Sequence, residues 1–257
     1  MIKRISVKTD KKFFEKEKTD EGNGTRLNKY LSNAGICARR KADELIKGGK
    51  VFVDGKAVTE MGYRVMPNQE VKYDGKVVRA FQKKFYVLLN KPKNTITTTS
   101  DEKERKTVMD LVKGASTERL YPVGRLDRNT TGLILLTNDG DLAQKLTHPS
   151  KEVSKLYQAT VDKPVTLAHL EQLASGVKLE DGVAQADEVA YADDHDKKII
   201  GVQIHSGKNR VVRRMFEALG YEVEKLDRVM FAGLTKKNLP RGRWRHLDDR
   251  EIGMLMR

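Results

Sequence analysis

Residues 123 to 137 read Val-Gly-Arg-Leu-Asp-Arg-Asn-Thr-Thr-Gly-Leu-Ile-Leu-Leu-Thr, and no other stretch constrains the fold as much. The four consecutive aliphatic residues Leu133 to Leu136 must be buried, which excludes a wholly disordered chain. Unbroken apolar character over so short a length fits a buried strand, Leu133 to Thr137. Directly before it lies the opposite chemistry. A turn-like segment carries Asp127 with Arg125 and Arg128 close on either side. The fold must bring a charged turn to the end of a dry strand.

The flanking pattern mixes both element types. Phe85 to Leu89, closed by Lys91-Pro92, reads as a second buried strand, and residues 94 to 107 read as a polar, Thr-rich loop. Further strands are expected at Leu156 to Val161 and Ile199 to Ile204. Helical spacing appears around Val108 to Val112, from Leu142 to Leu146, over Leu167 to Leu173, and over Val211 to Leu219 with Gly220 as its stop. The Asn138-Asp139-Gly140 step reads as a turn. Strands and helices alternate irregularly, with no βαβ repeat and no glycine-rich phosphate loop, so residues 85–257 are expected to form one α+β domain rather than a doubly wound nucleotide-binding fold.

The N-terminal part has a different texture. Residues 1–24 mix lysines and acids without a periodic apolar pattern and are expected to be a solvated tail, without the apolar core of a signal peptide. From Thr25 the spacing Leu27, Tyr30, Leu31, Ala34 marks one face of a short helix, and Ala42, Leu45 and Ile46 mark a second. Val51 and Val53 then alternate with polar residues, and Asp54-Gly55 and Asp74-Gly75 are hairpin turns. The two helices carry Arg26, Lys29, Arg39 and Arg40 on their outward faces. Such cations can hold phosphates without reading bases, although an ordinary charged helix surface would look the same.

Composition narrows the function. Fifty Lys and Arg against 36 Asp and Glu leave a formal charge of +14, which points to a polyanion, with nucleic acid first. No apolar run approaches the roughly 20 residues of a membrane span. The single cysteine, Cys37, allows neither an internal disulfide nor a Cys-based zinc site and fits a reducing, cytoplasmic setting. The five histidines show no metal-ligand pairing, and no nucleophile elbow or Walker loop is present. Metal hydrolysis, acyl transfer and nucleotide hydrolysis all lose ground. The remaining candidate is a carboxylate, Asp127, whose arginine neighbours favour its ionised form and so its use as nucleophile or base. Taken alone, the same residue also reads as a salt-bridged loop aspartate.

Two resemblances decide between these readings. The stretch RLNKYLSNAGICARRKADELIKGGKVFVDGKAV resembles the small RNA-binding module first described in ribosomal protein S-four, which grips structured RNA through paired helices. The string GRLDRNTTGLILLTN is similar, position by position, to the signature of ribosomal pseudouridine synthases of the RsuA family. Asn90-Lys91-Pro92, Lys155-Leu156-Tyr157 and the stretch from Ser206 to Phe216 extend that likeness over almost the whole chain. His148-Pro149-Ser150, the stretch from Gly176 to Gly182 and Leu239-Pro240-Arg241-Gly242 resemble the large-subunit, RluB-like branch most. The chain departs from the family in having Asn94 where glycine is usual and Val211 where a hydrogen-bonding side chain is common.

The resemblance implies an N-terminal S-four-like domain with linker over residues 25–84 and a catalytic domain over 85–257, built on a mixed, mainly antiparallel sheet. It implies isomerisation of a ribosomal RNA uridine, in 23S RNA or a pre-50S particle, to pseudouridine without metal or cofactor. Asp127 matches the essential aspartate, Tyr157 the aromatic residue against the target base, and Arg213 the basic residue that pairs with the aspartate. Arg125, Lys208 and Arg210 are expected beside the substrate, and Arg214 is expected as a phosphate-holding surface cation. A monomer is expected. The rival readings are a non-catalytic RNA-binding or ribosome-assembly factor with the same fold, and a basic DNA-binding protein, for which no recognition helix with a dimerisation element is present.

Overall fold

A computed structural model describes residues 24–79 and 83–257. The expected tail over residues 1–24 lies outside the described residues, apart from Gly24. The chain divides between residues 81 and 82 into two compact units.

In the small unit, helices Leu27–Asn33 and Arg39–Lys47 pack through Leu27, Leu31, Ala42 and Ile46, all buried. Their aliphatic face covers a four-stranded antiparallel sheet in the order Lys56–Ala57, Val51–Val53, Val71–Tyr73, Lys76–Val78. Val51, Val53, Val71 and Val78 point into the same core. Both Asp-Gly steps make the tight turns that the sequence predicts. Asp54 and Gly55 sit at φ +49° and +77°, and Asp74 and Gly75 at +50° and +71°, the left-handed pair that closes a two-residue hairpin.

The large unit is built on a nine-stranded sheet. Its main path runs Glu188–Tyr191, Ile199–Ile204, Lys155–Val161, Val223–Phe231, Thr131–Thr137, Tyr86–Lys91, Trp244–His246. Leu234–Thr235 and Tyr121–Pro122 add to strands of this path. Every pairing is antiparallel except that between Val223–Phe231 and Thr131–Thr137. Leu133 to Leu136 lie in the middle and feed two cores. Ile134 and Leu136 face one with helices Leu167–Ser175 and Val211–Ala218, and Leu133 and Leu135 face the other with helices Gly140–Thr147 and Asp249–Met256. The fold is α+β, with a mainly antiparallel mixed sheet.

Asp139 departs from its turn reading. It caps helix Gly140–Thr147, accepting from Leu142 N, and its buried carboxylate also accepts from Tyr86 Oη at 2.8 Å. Strand Val223–Phe231 has no counterpart among the strands predicted from sequence. Its charged residues break the apolar pattern, yet it lies beside the central strand.

Candidate active site

The parallel pairing explains the glycine before the aliphatic run. Gly132 sits opposite Arg228 at φ +111°, and a Cβ there would come within 2.3 Å of the Arg228 carbonyl oxygen. Only glycine lets the two backbones approach this closely. The approach ties the end of the central strand, and the turn before it, to the strand that carries Arg228.

That turn is held from both sides by one segment, residues 91–97. The Thr97 hydroxyl donates to Leu126 O at 2.8 Å and accepts from Leu126 N at 3.2 Å. Lys91, fully buried, donates through Nζ to Thr95 O at 2.9 Å, Pro92 O at 3.1 Å and Arg128 O at 3.4 Å. Asp127 lies between these two anchored residues, and its own carbonyl accepts from Thr130 N at 3.1 Å. Burial lowers the Lys91 ammonium to about 8, with the Asp127 carboxylate opposing the shift. Asn94 takes φ +58°, so asparagine makes the turn where glycine is usual. In the sequence Lys91 closes a strand and shares in the Asn90-Lys91-Pro92 likeness, and residues 94–107 read as a loop. Nothing in the local pattern marks Lys91 and Thr97 as holders of Asp127, because their partners come from a segment 30 or so residues away.

Asp127 opens into a cleft of about 300 Å³. Arg125, Tyr157, Lys208 and Arg210 line the same cleft, as do Thr130, Lys155, Arg228 and Phe231. Tyr157 is buried on strand Lys155–Val161, where the register with Val223–Phe231 shifts between Leu156 and Tyr157. Lys155 donates to Val153 O at 2.8 Å and His205 O at 2.6 Å, and burial, helped by Arg228, lowers its ammonium to about 8.

Arg213 does not pair with Asp127. The ion pair comes from Arg210, whose Nη1 lies 3.6 Å from Asp127 Oδ2 with both side chains partly exposed. Helix Val211–Ala218 explains the exchange. Arg210 caps it in a left-handed conformation, φ +48°, with its side chain reaching both Asp127 and Glu217. Arg213, one turn in, is only 8% exposed and donates to Val223 O. Burial, and then Arg210, lowers its guanidinium below its ordinary value, and Asp127 acts on it only through space. Arg214 likewise is not a free surface cation. It grips Asp181 through both terminal nitrogens at 2.9 and 3.2 Å, and Lys208 donates to the Asp181 carbonyl at 2.8 Å. Hydrogen bonding to Arg214 holds the Asp181 carboxyl below its usual range.

On the small unit, Arg26, Arg39 and Arg40 are exposed and Lys29 is half-buried; Arg26 lies not on a helix but in the short strand Thr25–Arg26, paired with Arg64–Val65. Arg39 reaches Asn28 Oδ1 at 3.4 Å, and Asn28 in turn donates to Asp43 at 2.8 Å, which links the two helices. Among the described residues, no three His, Cys, Asp or Glu side chains converge as metal ligands, and no helix is long and apolar enough to cross a membrane.

One cleft of this basic α+β chain thus holds a half-exposed aspartate and a buried tyrosine, and the chain also carries a helix-pair module. The comparisons give the family. The model of the RNA pseudouridylate synthase family matches residues 85–218, and that of the S4 domain matches residues 25–71. The chain is 43% identical to ribosomal large subunit pseudouridine synthase B of Bacillus subtilis, over 90% of this chain and 95% of that protein. It is 40% identical to the dual-specificity RNA pseudouridine synthase RluF of Escherichia coli, over 88% of this chain and 77% of that protein. A crystal structure of a pseudouridylate synthase superposes with a TM-score of 0.64 at 26% identity, covering 90% of this chain and all of the other. The chain belongs to the RNA pseudouridine synthase family and carries an S4 domain at its N-terminal side.

Proposed function

We propose that this protein isomerises a uridine of large-subunit (23S) ribosomal RNA to pseudouridine, acting in the cytoplasm as a monomer on the RNA or on a pre-50S particle. The observation that carries the reading is the shared cleft. Asp127, held on both sides by the hydrogen bonds of Thr97 to Leu126 and of Lys91 to Arg128, opens into the same space as Tyr157 and is faced by Arg210. In the reaction the C1′–N1 bond breaks, the uracil turns, C5 bonds to C1′, the C5 proton leaves and N1 takes one up. Asp127 is the group that reacts with the nucleotide as nucleophile or base. Tyr157 packs against the base and is placed to assist proton transfer at C5. Arg125, Lys208 and Arg210, at the exposed side of the cleft, meet the flanking phosphates. Arg213 acts from beneath, fixing the helix that presents Arg210.

Turning the ring requires a base out of its stack, so the target is an unpaired or flipped uridine. Arg26, Lys29, Arg39 and Arg40 supply affinity for the folded RNA around it. The large-subunit assignment is supported by the name of the Bacillus relative. The test is a map of pseudouridine across ribosomal RNA from cells with and without the protein. The reading expects loss of a large-subunit position, restored by the purified protein with or without EDTA. An unchanged map would reject it.

A further inference from the structure

Three buried side-chain atoms lack a hydrogen-bond partner among the described residues, and two of them belong to residues lining the catalytic cleft. They are Arg228 Nη2 and Thr130 Oγ1; the third, Ser154 Oγ, is not on a cleft-lining residue. Arg228 is 3% exposed and Thr130 2%. Buried polar groups are nearly always paired, because leaving one unmade costs the full loss of its hydration. Two such atoms, both on residues that line one cleft, point to a ligand that pairs them.

Both residues are rigidly held. Arg228 Nε donates to Leu133 O at 2.8 Å, and its guanidinium lies over the Phe231 ring at 4.6 Å. Thr130 closes the turn on Asp127 through its backbone. Neither orphan atom is open to water in the free protein, so a ligand in the cleft reaches them only when the groups that cover them give way. Phosphates meet Lys208 and Arg210 at the rim, and the part of a nucleotide that reaches the floor is its base.

Resting on the uridine reading above, we infer that Arg228 and Thr130 read the edge of the target base: Arg228 Nη2 donates to a ring carbonyl oxygen, and Thr130 Oγ1 accepts the N3–H. A guanidinium only donates, so it demands an acceptor such as a ring carbonyl, and a hydroxyl can accept. Uracil supplies this pattern twice over. A half-turn about its N3–C6 axis exchanges N1 with C5 and one carbonyl with the other. The same donor and acceptor therefore fit the base before and after it turns, while the bond to C1′ changes from N1 to C5. Cytosine lacks that symmetry. It offers an amino group in place of the C4 carbonyl, which opposes the guanidinium in one of the two orientations, and a bare N3 to which the hydroxyl must donate instead of accepting.

The test uses the whole chain and a large-subunit ribosomal RNA fragment that the wild-type protein converts, with uridine or cytidine at the target position. Thr130→Val should lower the saturating single-turnover rate on uridine RNA about tenfold, and Thr130→Ser should restore most of it. Arg228→Gln, whose amide can donate or accept, should narrow the preference for uridine over cytidine in binding by about tenfold. Should Arg228→Gln fail to fold, the Val and Ser pair at position 130 decides. A wild-type rate in Thr130→Val, or an unchanged uridine preference in a folded Arg228→Gln, would overturn the inference while pseudouridine formation by the wild type stands. Failure of the wild type to form pseudouridine would instead remove the functional reading.

Discussion

In the small unit Arg26, just before the first helix, and Arg39 and Arg40, on the second, stand in solvent over a core whose fully buried residues are aliphatic; in the large unit Lys91, Arg213 and Arg228 lie inside and donate to backbone carbonyls. The same residue types do two kinds of work. An exposed cation keeps its hydration, is screened by salt, and attracts any phosphate within reach. A buried cation has lost its hydration and must be satisfied by fixed acceptors, so it can hold a loop or a strand at a set position. The first unit is suited to affinity and the second to geometry.

The comparison breaks most visibly at Gly132. Gly132→Ala drives a Cβ into the Arg228 backbone at a position whose φ also disfavours any side chain. We expect a loss of more than about 4 kcal/mol in the large unit. Hydrogen exchange should show protection lost at Leu133 to Leu136 and kept at Leu31 and Ile46. Equal loss in both units would mean that the small unit depends on the large one for its stability.

A smaller effect is expected at Asp227, beside Arg228. Burial alone would raise this carboxyl, but hydrogen bonds from Arg241 and Lys236 bring it down to about 2. A depressed carboxyl contributes its stability above the unfolded value of roughly 4 and loses it as pH falls through the folded value. Asp227→Asn should cost about 2 to 3 kcal/mol at neutral pH, read as a lower urea midpoint. The difference from wild type should close between about pH 4 and pH 2. A gap that persists at pH 2 would assign the effect to packing.

The smallest effect sharpens the contrast on the surface. Arg40→Ala should lower the salt slope of RNA affinity by about 1, as for one phosphate contact. Arg214→Ala should change it less, since Asp181 already neutralises that guanidinium. Equal slopes for the two variants would show that RNA displaces Asp181.

How far the molecule could be read beforehand follows the same division. The aliphatic runs at Phe85 to Leu89 and Leu133 to Leu136 carried their structure on their face, because a dry strand leaves no other use for such residues. The helix pair and both Asp-Gly turns were equally plain. Strand Val223–Phe231 was not, because Asp227 and Arg228 spend their charges inside the fold and spoil the pattern that marks a strand. Asp127 stood out through its motif, but its support did not. Lys91 and Thr97 act on carbonyls and amides of residues 126 and 128, which no side-chain pattern records. The exchange of Arg213 for Arg210 came from a left-handed cap residue, a backbone event that Arg210 gave no sign of.

The most direct test of the division between affinity and chemistry measures two quantities on one ribosomal RNA fragment: the dissociation constant and the single-turnover rate at saturating protein. Asp127→Asn should keep the affinity and lower the rate by at least about a thousandfold. The triple variant Arg26→Gln, Arg39→Gln, Arg40→Gln should keep the saturating rate and lose affinity, with a salt slope smaller by about 3. A triple variant whose saturating rate falls along with its affinity, or an Asp127→Asn protein that still turns over near the wild-type rate, would contradict the account.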